Sequence, residues 1–457
     1  MLGHRPEHRA VWGAAAACVL GVACVTLVGA PGASAGAGAA RWSAPAPLTA
    51  CPVRGAPQIV FPSDSPTHAT GPGALVWEDG PRCPGGERAW LAPLAGDDRP
   101  TGLAGTSAAR ALPLRGEVRA GAAPGGRVLV AGTATTGPSR LALVQGVAGG
   151  ALAPLPSAGF EPGPLALDSS YLDDVALAGV ASAGVGPLVR IERHYADSFG
   201  PPSANAGVGG VDALTVALDF RSDALLVWQR RGGLYARSIP AAGPAGVLQR
   251  LGSAPSAVRV AAVLSDDDRA IVAWSEQTSG VVSVYVDRSG AGVRFAAPQR
   301  LERFPAPDRA TPPAASPSLV RLRSESVMLA WDGAVEGLWA VRAASVDLNG
   351  VGPPQTVSEP GGDALLAGLA PAPDGSALAL WSERTPAGGA EVSILAALGG
   401  DIRPDRTAFA APELVAPPGA NSDPSASVDP GSGRAVAAWR GPGGKLLYAV
   451  RGTAAEG

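Results

Sequence analysis

The sequence is poor in the residues that most reaction chemistry depends on. Among 457 residues there are four histidines, four cysteines and two methionines, and Lys445 is the one lysine beside abundant arginine. Charged residues make up 16% of the chain and the formal net charge is -3, so there is no basic stripe to neutralise phosphates or anionic lipid; this excludes nucleic acid as an expected partner. His68 and His194 are the two histidines beyond the N-terminal segment, and neither is bracketed by a nucleophile motif, so no Ser-His-Asp arrangement can be assembled. Zinc needs four close ligands, which these residues do not supply. There is no GxGxxG, no P-loop and no CxxC, so no cofactor and no metal are expected. The scarcity of lysine beside much Arg, Ala, Gly and Pro is the imprint of a GC-rich coding sequence and carries no functional meaning.

What is present is apolar. Hydrophobic residues account for 46% of the chain, enough for a large core and too many for disorder. The N-terminus carries His4, Arg5, His8 and Arg9, then an apolar run from Ala10 to about Ala30, then Ala33-Ser34-Ala35. This is the pattern of a signal peptide over residues 1–35 with an A-x-A cleavage site. The run is also long enough to act as an uncleaved anchor; a lipid anchor on Cys24 is disfavoured by Gly21, which stands where a lipobox has Leu. No other segment is long and apolar enough to span a membrane, so a secreted or cell-surface protein is expected. Cleavage after Ala35 removes Cys18 and Cys24 and leaves Cys51 and Cys83, an even pair in an oxidising compartment and therefore an expected disulfide. Residues 36–47, rich in Ala, Gly and Pro, read as a flexible leader.

From residue 48 to 457 one unit recurs. It has a polar turn, an apolar strand ending in Trp, a second polar turn and an alternating strand. The apolar strand appears as Ala74–Trp77, Ala224–Trp228, Ala270–Trp274, Val327–Trp331, Ala377–Trp381 and Ala435–Trp439, and without Trp as Arg127–Ala131 and Val175–Gly179. Seven intervals cover the 362 residues from Trp77 to Trp439, about 52 each, a period of the kind found in solenoids, propellers and arrays. There is no 3.6-residue periodicity, so almost no helix is predicted.

The best-preserved units resolve into four strands, A to D. In one these are Ala257–Leu264, Ala270–Trp274, Val281–Asp287 and Pro298–Leu301; in the next, Pro317–Leu322, Ser326–Trp331, Leu338–Ala343 and Gln355–Val357. Strand B is apolar on both faces, with Ala270, Val272 and Trp274 on one and Ile271 and Ala273 on the other, so it must be covered on both sides. Inner strands sandwiched between neighbouring blades meet that demand, and tandem four-stranded antiparallel units are propeller blades. The expected fold is an all-β propeller of eight four-stranded blades, with seven as the alternative. The last unit lacks a fourth strand. Its exposed edge would invite aggregation, and Ala46–Val53 is placed to fill it, which would bring Cys51 toward Cys83 and close the ring.

Turns such as Pro371–Gly375 and Asp429–Gly433, each followed by a strand ending in Trp381 or Trp439, resemble the tandem repeats of secreted bacterial β-propeller proteins of unassigned function. The resemblance covers nearly all of the chain after the leader and implies a fold without a function. WD40 repeats match poorly, with Trp331-Asp332 the sole Trp-Asp pair and no Gly-His before the strands. One sialidase-type Asp-box is approached by Ser427, Asp429 and Gly431, with Arg434 in place of its aromatic.

The Trp series reads as inter-blade packing rather than as a ring of stacking platforms. Charged residues follow the tryptophans: Glu78, Glu276, Asp332, Glu383 and Arg440. Placed in B-to-C loops, they would surround the channel mouth and form the candidate binding site. The expected function is a binding module that engages a protein or glycan through this loop face, as a monomer. A sialidase- or glycosidase-like hydrolase or lyase with paired carboxylates is the alternative, and a purely structural surface protein the third. Asp266–Asp268 and the acid-rich stretch from Asp168 to Asp174 fit no calcium motif and read as turns.

Overall fold

The computed structural model describes residues 41–452 apart from short stretches, the longest being 63–71, 101–108, 195–203 and 308–316. The signal segment, His68 and Cys24 lie outside the described residues. Among the described residues the regular elements are β-strands apart from short 3-10 turns such as Pro442–Gly444.

The four strands assigned in each of the two detailed units are present, with strand B longer than read and a fifth strand, Arg294–Phe295, in the first. Their strands are Arg259–Leu264, Ala270–Thr278, Val281–Gly290 and Gln299–Pro305, and Ser318–Arg321, Val327–Val335, Leu338–Val346 and Gln355–Thr356. Each strand pairs antiparallel with its neighbour in sequence.

The two apolar faces of strand B go to different neighbours. Ala270, Val272 and Trp274 pack with Leu225, Val227 and Leu234 of the preceding sheet. Ile271 and Ala273 pack with Val327, Leu329 and Trp331 of the following one. The same relation links each sheet to the next, and Val436, Ala438 and Tyr448 of the last unit pack on Leu75 and Trp77 of the first. The chain is therefore an all-β propeller whose packing returns to its start.

The expected count of eight, or seven, separate four-stranded blades is corrected. Among the described residues only four sheets have four strands; two have five and one has seven. The seven-stranded sheet arises because Ala46–Val60 is a single strand with two partners. Its first part pairs with Lys445–Arg451 (Ala46 opposite Tyr448, Pro52 opposite Lys445) and its second part with Ala74–Asp79 (Gln58 opposite Val76, Val60 opposite Ala74). Last and first units thus share a strand, and the edge left by the last unit is filled. Pairing starts upstream of Leu48: Trp42 bridges Arg451 and Ser43 N–H donates to Val450 C=O. The five-stranded sheets arise where strand C is long enough to hold two partners, Val281–Gly290 and Val392–Arg403.

Cys51 and Cys83 form a disulfide with Cα atoms 5.8 Å apart. Cys83 lies beyond the end of strand Ala74–Asp79, so the bond ties the shared N-terminal strand to the first B-to-C connection.

In the unit where Gly179 stands in place of Trp, another aromatic fills the space. A Cβ on Gly179 would come within 2.8 Å of the Phe160 ring, and Phe160 is buried against Leu129, Ala131 and Leu177 between the two Trp-less units.

Candidate functional site

The candidate residues do not lie in loops. Strand B continues beyond its Trp, so Glu78, Glu276, Asp332, Glu383 and Arg440 all fall within strands. An extended strand puts successive side chains on opposite faces. Glu78, Asp332 and Arg440, one residue past Trp, leave the Trp face, while Glu276 and Glu383, two residues past, remain on it.

Glu78 and Asp332 are buried and share one structural task. In the following sheet, strand A bulges between Arg115 and Arg119 in one case and between Leu366 and Gly368 in the other. A bulge leaves a backbone group without its ladder partner. The freed N–H of Gly116 donates to Glu78 Oε1, and that of Leu366 to Asp332 Oδ1. Gln58 makes a related bridge between inner strands, its Oε1 accepting the Ala120 N–H at 2.9 Å and its amide donating to Val118 C=O. Asp168 Oδ2 accepts the Leu218 N–H at 2.8 Å, and Ser318 Oγ the Leu369 N–H at 3.1 Å. The inner strands, which have no ladder partner on the channel side, are laced together by side chains.

Glu383 Oε2 accepts the Trp381 indole N–H at 3.0 Å. Arg440 is tied to Ser422 Oγ at 2.9 Å and to Asp423 at 2.7 Å. Burial raises the carboxyl of Glu78 above its ordinary range against the opposing pull of the Gly116 N–H and Arg54. Burial likewise raises Glu276, opposed by a hydrogen bond from Tyr285, and Glu383, opposed by the Trp381 indole.

Two cavities open at this end of the molecule, where strands B end and strands A begin. The first, of about 290 Å³, is lined by Arg54, Gln58, Trp77, Glu78, Glu117 and Arg119 among others. The second, of about 280 Å³, lies between the B-to-C turn Val335–Leu338 and the segment 356–362, with Trp339, Thr356, Ser358 and Glu359 in its wall. Of the five expected residues Glu78 lines the first of these cavities; Glu383 stands behind the second, beside Gly362. Glu276, Asp332 and Arg440 line neither of these two.

No family model matches the chain, and no curated protein matches it. Among solved structures it is similar to the Dos1 propeller, at 10% identity over 90% of this chain and 95% of that one, with a TM-score of 0.48. It is also similar to the six-bladed β-propeller lectin of Aleuria aurantia, at 11% identity over 64% and 95% with a TM-score of 0.35, and to the polysaccharide lyase Uly1, at 11% identity over 72% and 88% with a TM-score of 0.40. Similarity at these levels says nothing of ligand or reaction.

Chemically, each cavity offers carboxylates and hydrogen-bonding groups beside an indole. Arg54 pairs with Glu87 at 2.7 Å and Arg119 with Glu117, so the cations of the first cavity are oriented by acids of the same face. Arg54, Arg119, Trp339, Ser358 and Glu359 were not legible as cavity residues, because the two arginines sit at strand bulges and the other three around a hairpin end, with no motif around them. Among the described residues no helix is long and apolar enough to cross a membrane.

Proposed function

We propose that this protein is a binding module that takes up a small polar ligand, of glycan type, on the face where strands B end and strands A begin. One observation carries the reading: two separate cavities of about 290 and 280 Å³ open on that same face, each with carboxylates and other hydrogen-bonding groups in its wall. Sites for small ligands are concave, with a few placed polar groups, and volumes near the lower end of about 300–1,000 Å³ suit one or two sugar rings. A glycan array probed with the chain from residue 36 onward tests it. Binding that is lost in Arg119→Ala or Glu359→Gln supports the proposal; binding untouched by both places the ligand elsewhere.

The upward shift that burial gives the carboxyls of Glu78, Glu276 and Glu383 favours a second reading, a hydrolase or lyase, since a general acid is a carboxyl whose proton is held more tightly than usual. The hydrogen bond that commits Glu78 to Gly116 weighs against it. Release of reducing or unsaturated ends from a polysaccharide panel, abolished in Glu276→Gln or Glu383→Gln, would move the assignment to enzyme.

We further infer that the chain is exported, with residues 1–35 removed and the remainder monomeric. The Cys51–Cys83 disulfide supports an oxidising compartment. Sequencing of the N-terminus of the exported chain should begin at Gly36.

A further inference from the structure

On the opposite face, the A-to-B turns of the Trp228 and Trp274 sheets meet. The first turn is built around Asp219, whose Oδ1 accepts the N–H groups of Arg221 and Asp223, each at 2.8 Å. Asp219 is 1% exposed, yet its second oxygen, Oδ2, is buried and accepts no hydrogen bond among the described residues. A buried carboxylate oxygen without a partner is costly. Asp219 belongs to a group in which one carboxylate oxygen each from Asp219, Asp223 and Asp268 lies within 4.8 Å of the others. Oxygens bound to calcium at 2.3–2.6 Å stand at most about 4.6–5.2 Å apart across the ion, so a group held within 4.8 Å fits around one calcium.

The surrounding charges leave this group in need of a cation. Arg321 pairs with Asp266 at 2.5 Å and Arg269 with Asp267 at 3.0 Å. Arg221 donates to the Asp266 carbonyl at 2.9 Å and reaches Asp268 Oδ2 only at 3.7 Å, from a half-exposed position. Asp223 spends one oxygen on the Ala241 N–H at 2.6 Å. Three carboxylates therefore face one loosely held arginine.

The geometry points to a calcium site formed by Asp219, Asp223 and Asp268, clamping the turns of two successive sheets. Burial, together with the carboxylates of Asp223 and Asp268, pushes Asp219 up to about 6, and a bound divalent ion would relieve both effects. Asp268 reads as a turn residue in the sequence, and the site is hidden there because its other ligands, Asp219 and Asp223, come from a separate turn and neither turn has a calcium-loop spacing.

Calorimetric titration of the purified, metal-stripped chain with CaCl2, with MgCl2 run in parallel, tests the site. One calcium per chain is expected to bind with Kd of about 10⁻⁴–10⁻³ M, the range of extracellular modules, and to raise Tm, while magnesium binds at least about tenfold more weakly. Asp219→Asn and Asp268→Asn should each weaken calcium binding about tenfold or more. Asp268 is 41% exposed at its side chain, so Asp268→Asn keeps the test valid even if Asp219→Asn fails to fold. No heat and no Tm shift up to about 10 mM CaCl2, unchanged affinity in Asp268→Asn, or equal affinity for magnesium would overturn the proposal.

Discussion

Trp274 shows what the repeated tryptophan does. It is 2% exposed, stacks on Tyr285 with ring centroids 5.3 Å apart, and packs against the preceding sheet through Leu225, Val227 and Leu251. The indole is a wedge between sheets, and Phe160 fills the equivalent space where Gly179 replaces Trp. Trp274→Ala should open a cavity that the rigid neighbouring strands cannot collapse into, costing about 3–5 kcal/mol in urea unfolding. A loss below about 1 kcal/mol would be the cost of a surface residue, and would refute the wedge. Glu78 and Asp332 show the opposite case, residues whose type suggested chemistry and whose partners are structural. A carboxylate one position past Trp looks like an active-site acid in sequence; its partner, an N–H freed by a bulge in the next sheet, leaves no mark in the sequence around it.

At the scale of the element, the strand Ala46–Val60 is the unusual piece. It serves as outer strand of the last unit and inner strand of the first, changing partners between Pro52 and Val53 and bulging between Arg54 and Gln58. The disulfide fixes it at the point where it leaves the last unit. With the cysteines 32 positions apart in sequence, replacing both by Ser should cost roughly 3–4 kcal/mol on the chain-entropy account, read as a lowered urea midpoint with unchanged slope. An unchanged midpoint would mean that hydrogen bonding alone holds the strand. This closure was legible because it follows from counting: the last unit lacked a strand, and two cysteines remained. Strand B was legible from its two apolar faces, and the B and C strands were placed within a few residues. Its continuation past Trp was not, because Ser275-Glu276-Gln277-Thr278 is polar enough to read as a turn, although all four residues pair with strand C. The sharing of one strand by two units and the five-stranded sheets were equally hidden, since pairing partners, unlike apolar faces, have no local periodicity.

Across the whole molecule, burial raises a set of carboxyls: Asp168, Asp219 and Asp287 to about 6, and Glu78, Asp79, Glu276 and Glu383 in the same direction. A carboxyl raised in the folded state holds a proton that the unfolded chain has already released, so its contribution is full below about pH 4 and is lost as pH rises through about 6. The urea midpoint should therefore fall between about pH 4.5 and 7, and a midpoint rising over that interval would show that these groups are not buried as described. Saturating calcium should flatten the part of the slope that belongs to Asp219. The molecule then has two faces with different tasks, one holding the turns together through carboxylates and the other presenting cavities. Hydrogen–deuterium exchange with and without the best array glycan tests that division most directly. Protection is expected in segments 116–119 or 336–340 and 356–362, which line the cavities; protection confined to 219–223 and 265–269, on the other face, would contradict the account.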